Sequence, residues 1–133
     1  MFGKKAQPPI KSLIAQGSRI DGNVRFSEGL RIDGEVFGDI HAQSEQSSML
    51  VISEAAVVVG EVHADHVIVN GTVRGAVTAR ELLELQPKAR IEGDVSYMAL
   101  EMHQGAVICG QLKPLMVEDS AEKPLLKLAA KNA

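Results

Sequence analysis

A short frame centred on glycine recurs through most of this chain and constrains its fold more than any other sequence feature. In this frame an apolar residue stands two positions before a glycine and another stands two positions after it. From residue 60 onward the frame places glycines at 60, 75, 93 and 110, in steps of 15, 18 and 17 residues. A repeat of this length predicts a solenoid of stacked, equivalent turns. The eight copies are IDGNV (20–24), IDGEV (32–36), VFGDI (36–40), VVGEV (58–62), VNGTV (69–73), VRGAV (73–77), IEGDV (91–95) and ICGQL (108–112).

Within each repeat, apolar residues alternate with polar ones. The segment LRIDGEVFGDI (30–40) is apolar at positions 30, 32, 36 and 40 and charged at 31, 33, 35 and 39. This period of two predicts strands with one buried face. A turn of this length holds about three strands of roughly 4–5 residues, and stacked turns pair equivalent strands about 4.8 Å apart. The polar insert 43–48 is expected to bulge out of one turn as a loop.

We therefore predict an all-β fold: a single-stranded parallel β-helix of about six rungs with a triangular cross-section. The preference of parallel strands for right-handed crossovers favours a right-handed coil. A glycine turn such as 33–34 is also typical of hairpins, but there it would pair apolar Ile32 with charged Glu35. Segments 80–86 and 97–104 have helical propensity, yet both align with strand-like segments at a step of 17 residues, and tertiary context often overrides propensity.

Charge divides the chain into three parts. Residues 1–12 carry three lysines and no acid; residues 13–112 carry seven basic and fourteen acidic residues, hence −7; residues 113–133 carry four lysines and three acids, hence +1. All prolines except Pro87 lie in the flanks, where they disfavour regular structure. We predict a disordered N-terminal tail over 1–12, a β-helix domain over 13–114 and a flexible C-terminal tail over 115–133.

The inward-facing apolar residues are expected to form one continuous core. Burial of each side chain contributes about 1.5–3 kcal/mol before the entropy cost. These residues are Ile20, Val24, Leu30, Ile32, Val36, Ile40, Leu50, Ile52, Val58, Val62, Val67, Val69, Val73, Val77, Leu83, Leu85, Ile91, Val95, Leu100, Met102, Ile108 and Leu112.

Neither end of the repeat has an evident cap. The first rung opens with SLIAQGSRI (12–20) and the last closes with GAVICGQL (105–112), and each adjoins a proline-containing tail. Uncapped ends leave unpaired backbone groups and the cut face of the core, so they predict end-to-end polymerisation. The predicted polymerisation interface is Ile20, Val24, Leu100, Met102, Val107, Ile108 and Leu112. Apolar residues at outward positions are a second predicted surface, for lateral contacts: Phe37, Val51, Val57, Val59, Ile68 and Val107.

The sequence predicts no catalytic, cofactor-binding or metal-binding residues and no cofactor. The lone Cys109 excludes an internal disulfide or a multi-cysteine zinc site, and it has no neighbouring base to activate it. His63 and His66 are closely spaced, but strand parity and a corner between them oppose a shared metal. The repeated aspartates are interpreted as outward, solvating charges rather than paired catalytic acids: Asp21, Asp33, Asp39 and Asp94.

Composition also argues against nucleic acid as a partner and against membrane insertion. Aromatic residues make up 3% of the chain and the net charge is −3, so a base-stacking surface and a basic footprint are both missing. No apolar run approaches the roughly 18 residues of a membrane span. No hydrophobic signal-peptide core follows Lys4 and Lys5, and a cytoplasmic location is the expectation.

Four segments in this order and spacing carry a resemblance to a known family: IAQGSRIDGNV (14–24), LRIDGEVFGDI (30–40), ARIEGDV (89–95) and GAVICGQLKP (105–114). They resemble the bactofilins, which are bacterial polymer-forming cytoskeletal proteins. The resemblance implies a right-handed β-helix of about six rungs that assembles without nucleotide into filaments joined at like ends, hence without polarity. It also implies a scaffold at the inner membrane that localises cell-wall or morphogenesis proteins. The last rung of family members often carries a bulky apolar contact, and here Val107 and Ile108 occupy that stretch, without a Phe.

The N-terminal MFGKK resembles the tip by which family members bind membranes. Met1 and Phe2 can insert into lipid, while Lys4 and Lys5 add about 1 kcal/mol each near anionic lipid. One such tip binds weakly, but a filament presents many copies at once. The expected partners are thus the chain itself, lipids of the cytoplasmic membrane, and cell-wall synthesis or remodelling proteins.

Two other functions compete with the scaffold. A left-handed β-helix of the acyltransferase kind would form discrete trimers, but its strict six-residue repeat differs from the repeat here. A soluble binding module whose tails do the work would be monomeric without them. Only the scaffold predicts that residues 13–114 still polymerise.

Overall fold

The computed structural model describes residues 9–43 and 47–115, and β-strands account for most of these residues. No helix occurs among these residues. The fifteen strands are β1 (Ser12–Ile14), β2 (Arg19–Asp21), β3 (Val24–Phe26), β4 (Gly29–Ile32), β5 (Glu35–Phe37), β6 (Ile40–Ala42), β7 (Met49–Ile52), β8 (Val57–Val59), β9 (Val62–Val69), β10 (Thr72–Arg74), β11 (Val77–Leu85), β12 (Arg90–Glu92), β13 (Val95–Met102), β14 (Val107–Cys109) and β15 (Leu112–Pro114).

The strands wind into a three-faced β-solenoid of about six rungs, as the repeat predicts. The first face contains β1, β4, β7 and the second halves of β9, β11 and β13; the second face contains β2, β5, β8, β10, β12 and β14. The third face contains β3, β6, the first halves of the three long strands, and β15. Every pairing is parallel, so the rejection of hairpins is confirmed.

The core is built of columns to which each rung contributes one residue. From Leu30 to Val95 every residue predicted to face inward is buried. On the second face, the four inner members of one column are fully buried and the two end members half-buried. In order, that column is Ile20, Val36, Val58, Val73, Ile91 and Ile108.

Segments 80–86 and 97–104 are strands, not helices, for almost their whole length. They belong to β11 and β13, which with β9 are eight or nine residues long. Each long strand turns the corner from the third face to the first without interruption, so the expected division into strands of about equal length is wrong there. In β11 the corner is a bulge between Ala79 and Leu82, where the pairing register shifts.

Glycines stack along the corner between the second and third faces. A Cβ on Gly75 would lie 2.2 Å from the carbonyl oxygen of Gly60, and the φ of Gly75 is +153°. A side chain is therefore excluded both by the neighbouring rung and by the backbone conformation. This close approach explains why the glycine frame has the period of one rung.

The insert between β6 and β7 is fastened to the body of the solenoid at its C-terminal side. Asp65, at the bend of β9, accepts hydrogen bonds of 2.9 Å from the backbone N–H and the hydroxyl of Ser48. Arg80, at the bend of β11, donates to the other Asp65 oxygen at 2.7 Å. Burial of Asp65 acts to raise its pKa, but the bonds from Arg80 and Ser48 outweigh it and hold the pKa below its usual value.

Candidate functional site

The C-terminal end of the solenoid exposes side chains that belong to core columns. Met102 is the register partner of Leu85, and Leu112 is that of Val95. Met102 and Leu112 are 47% and 50% exposed, whereas their partners are fully buried. The prediction that these two residues are buried is wrong, because among the described residues no further rung covers them. Leu100 and Ile108, of the same rung, are half-buried.

Unpaired strand edges surround this apolar surface. β14 and β15 each pair with a strand on one side only, and so does the second half of β13. Their outer N–H and C=O groups have no strand partner among the described residues. An edge of this kind is a template for pairing with another chain. Val107, on β14, adds a side chain that is 37% exposed.

Within residues 9–43 and 47–115, the N-terminal end is open in a similar way but presents a smaller part of its core. Ile20 and Val24 are half-buried, while their partners Val36 and Ile40 are fully buried. Phe26, which the sequence pattern did not mark as a core residue, is only 7% exposed and closes part of this end. The structure thus places the seven predicted interface residues on the two terminal rungs, at opposite ends of the solenoid.

Aspartates at the rung corners do more than interact with solvent. Asp39 Oδ1 accepts the backbone N–H of Glu61 in the next rung, and Asp94 Oδ1 accepts that of Gln111, each at 2.9 Å. The Gln111 bond, together with Lys113, holds the pKa of Asp94 below its usual value. These carboxylates fasten one rung to the next, so their interpretation as merely solvating charges is incomplete.

The outward apolar residues do not form one continuous patch. Phe37, Val57 and Val59 lie on the second face and are half-buried, and the guanidinium of Arg19 covers the ring of Phe37 at 4.1 Å. Val51 and Ile68 lie on the first face. These two line an open groove of about 540 Å³ that has charged and polar residues along its rim. Lateral association through these residues remains a prediction.

The corner expected between His63 and His66 is present, because the two residues lie on different faces of the solenoid. His63 stacks on its register partner His41 with the ring centroids 4.5 Å apart, and the insert lengthens the step between their rungs to 22 residues. His66 is buried beyond the bend of β9, on the first face. Cys109 is exposed on the last rung, as its outward parity predicts. Sequence alignment at 17 residues could not reveal the stacked pair.

One cluster of metal-ligating groups was missed at the sequence level. Glu84, Glu101 and His103 each place one ligand atom within 4.8 Å of the others. They lie on the outer surface of the first face, across the last two rungs. In the sequence, all three residues occupy outward-facing positions, and Glu84 and Glu101 are separated by one repeat. These positions indicate a cluster only once the strand register is known.

The residues predicted to target the membrane, Met1, Phe2, Lys4 and Lys5, lie outside the described residues. Within the described part of the chain, no helix has the length and apolar character needed to cross a bilayer.

Comparison with known proteins gives two findings. Residues 12–113 match the family model described as "Bactofilin: Polymer-forming cytoskeletal", a range that spans all fifteen strands except the final Pro114. The chain is similar to "Bactofilin BacO" of Myxococcus xanthus (strain DK1622), with 26% identity over 117 residues that cover 88% of this chain and 90% of that protein. No solved structure matches the chain at a comparable level of significance.

Proposed function

Because the chain belongs to the bactofilin family of polymer-forming cytoskeletal proteins, we propose that its solenoids join end to end into non-polar filaments. We propose further that assembly needs no nucleotide, that the filaments lie at the inner face of the cytoplasmic membrane, and that they localise cell-wall or morphogenesis proteins. The family supports a structural cytoskeletal role rather than an enzymatic one.

The observation that carries the proposal is the open core at the C-terminal end. Met102 and Leu112 continue columns whose inner members are fully buried, yet about half of each side chain is exposed. Covering a Leu or Met side chain contributes about 1.5–3 kcal/mol, and the strand edges around it add backbone hydrogen bonds. A second copy placed on this end supplies both.

Assembly without nucleotide follows from the kind of contact proposed. The side chains and strand edges of the terminal rungs are in place within one folded subunit. No conformational change driven by nucleotide binding or hydrolysis is required to create them. Association is then governed by protein concentration alone.

Membrane attachment is assigned to the N-terminal tip on electrostatic grounds. Residues 13–112 carry seven basic and fourteen acidic residues, a net charge of −7. This block is repelled by anionic lipid, whereas Met1, Phe2, Lys4 and Lys5 combine insertion with positive charge. Multiple tips along one filament multiply the weak binding of each.

The experiment that tests end contact is electron microscopy and sedimentation of the purified protein without nucleotide. We expect filaments from the wild type. Leu112→Arg places a charge on the open end, so we expect soluble species no larger than dimers joined by their N-terminal ends, with unchanged β-sheet circular dichroism. Ile108→Arg, on the same rung, should behave alike. Ala55→Arg puts the same side chain on an exposed turn and should leave filaments intact.

The contrary results are specific. Normal filaments from Leu112→Arg would exclude this end as the contact. A wild type that forms monomers or discrete trimers would favour the binding-module or acyltransferase alternatives instead.

A further inference from the structure

We propose that Glu84, Glu101 and His103 form a binding site for a divalent transition-metal cation, represented by Zn²⁺, between the last two rungs. The site lies on the outer surface of the first face. Glu101 belongs to a strand at the edge of the C-terminal end, but Glu101 and His103 are exposed outside the core columns, and the inference does not depend on filament formation.

The register of the solenoid creates the site. Glu84 and Glu101 are direct partners on neighbouring parallel strands, and so are the following residues, Leu85 and Met102. His103 comes next in its rung, where its backbone N–H donates to the carbonyl oxygen of Leu85 at 2.9 Å. Glu84 and Gln86 on one rung therefore lie beside Glu101 and His103 on the next, and the four side chains form a two-by-two grid on one surface. One ligating atom from each of Glu84, Glu101 and His103 lies within 4.8 Å of the other two.

The two carboxylates are poorly compensated in the metal-free protein. Like charges directly opposite each other on paired strands are destabilising. Among the described residues, no lysine or arginine forms an ion pair with either glutamate, and Lys88 pairs with Glu54 at 3.4 Å. The basic side chain beside them is that of His103, whose Nε2 lies 3.7 Å from Glu84 Oε2. A divalent cation would neutralise both carboxylates at once.

The ligand types select the class of metal. An imidazole nitrogen with two carboxylate oxygens suits Zn²⁺ and similar first-row divalent ions, whereas Mg²⁺ and Ca²⁺ favour all-oxygen sites. Three protein ligands leave a position for water. The side chain of Glu84 is 21% exposed, and the amide of Gln86 donates to its Oε2 at 3.3 Å. Glu84 is thus partly ordered before any ion binds.

Binding here would link the last rung to the rung beneath it. Glu84 belongs to β11, while Glu101 is in β13 and His103 directly follows that strand. An ion held between them stabilises the folded state relative to the unfolded chain. The expected effect is a higher midpoint of thermal unfolding in the presence of zinc.

The test is a zinc titration of the tag-free, full-length protein by isothermal titration calorimetry, together with thermal unfolding with and without zinc. We expect one saturable site per chain and a zinc-dependent rise in the unfolding midpoint. His103→Gln and Glu84→Gln should each weaken binding at least about tenfold and abolish the rise. Gln86→Glu adds a fourth ligating group beside Glu84 and should tighten zinc binding.

Matched controls separate this site from nonspecific binding to an acidic surface. Glu81→Gln removes the same charge from a neighbouring position of β11, and His63→Asn removes an imidazole from the stacked pair on the third face. Both should bind zinc like the wild type. Absence of saturable binding by the wild type, unchanged binding by His103→Gln, or an equal loss in the controls would each overturn the proposal.

Discussion

Met102 extends the core column of Leu85 by one rung, and its side chain is 47% exposed where that of Leu85 is fully buried. The two residues have the same register position and differ only in whether a further rung lies over them. Substitutions at these two positions can therefore distinguish the stability of the folded subunit from the strength of association between subunits.

Truncating Leu85 to alanine should therefore mainly affect folding, whereas truncating Met102 should mainly affect association. Leu85→Ala leaves a cavity in the closed core, so we expect it to lower the free energy of unfolding by about 2–5 kcal/mol. Met102→Ala should lower the stability of dilute, unassembled subunits much less, but raise the protein concentration at which filaments appear. Urea unfolding of dilute protein and a sedimentation series measure the two effects. Equal losses of stability would mean that the end is covered within a single chain.

Deletion of Met1–Lys5 should leave filaments intact and release them from vesicles of anionic lipid. The physical reason is the loss of both the insertable and the basic residues from a chain whose remaining charge is mostly acidic. Co-sedimentation with vesicles measures binding. Replacing Lys4 and Lys5 by glutamate should act like the deletion.

The matched control reverses two other lysines, Lys123 and Lys127 in the C-terminal segment, with the same change in net charge. These filaments should still bind. Attachment that survives the deletion but is lost in this control would move the anchor to the other end of the chain.

Gly75→Ala should destabilise the solenoid severely. The new Cβ would meet the carbonyl oxygen of Gly60 at 2.2 Å, at a φ that disfavours side chains, and we expect a cost of about 2–4 kcal/mol. Gly22 occupies the same corner on the first rung with φ +137°, but a Cβ added there would have no atom within 4 Å. Gly22→Ala should cost about 1 kcal/mol, from backbone strain alone. Thermal unfolding compares them; similar costs would show that the stacking contact contributes little.

Acid should weaken the fold only below about pH 4. A serine hydroxyl, from Ser53, and Arg31 hold the pKa of Asp33 below its usual value, and the pKa values of Asp65 and Asp94 are also lowered. Groups whose folded pKa is depressed contribute stability that is complete above the unfolded pKa, near 3.9, and is lost as pH falls through the lower folded pKa. The midpoint temperature of unfolding should therefore fall as the pH is lowered below 4. Between pH 5 and 7, these three aspartates should cause no change in the midpoint.

Asp65→Asn provides the check on this assignment. It removes the charge that binds Arg80 and Ser48, so we expect a loss of about 2–3 kcal/mol at neutral pH and a shallower decline in acid. An undiminished decline would assign the acid sensitivity to other groups.

Filament polarity can be measured from the axial repeat. Six rungs at about 4.8 Å each give an axial length near 29 Å per subunit. A filament that joins unlike ends repeats at about 29 Å, whereas one that joins like ends repeats at about 58 Å. We expect the longer repeat in power spectra of electron micrographs, and the shorter one alone would refute the non-polar assembly.

Most of the fold could be predicted because glycine spacing and strand parity report directly on burial. Ile32 and Val73 are buried, as the alternation of apolar and polar residues around them predicts. The corner between His63 and His66 was expected, but the role of Asp65 there could not be predicted. Asp65 is an ordinary polar residue in the sequence, and only the folded insert and the next rung bring Ser48 and Arg80 to it.

The candidate sites divide in the same way. The exposed apolar ends could be predicted, because the absence of an evident cap can be recognised from the sequence of the terminal repeats alone. The cluster of Glu84, Glu101 and His103, like the stacked His41 and His63, depends on which rung lies beside which. An insert that lengthens one step to 22 residues conceals the pairing of His41 with His63 from any alignment of fixed period. Glu84 and Glu101 follow the repeat step, but the place of His103 beside them depends on the strand register.

The fastened insert between β6 and β7 has a practical consequence for imaging this protein. Residues before and after it keep parallel pairing with the neighbouring rungs, so extra chain leaves the stack there without disturbing it. A fluorescent or affinity label grafted between Gln43 and Ser47 would project sideways from the rod. Labels fused at either terminus would instead be attached through the segments that lead to the first or last rung, whose surfaces are proposed to meet, and we expect such labels to interfere with assembly.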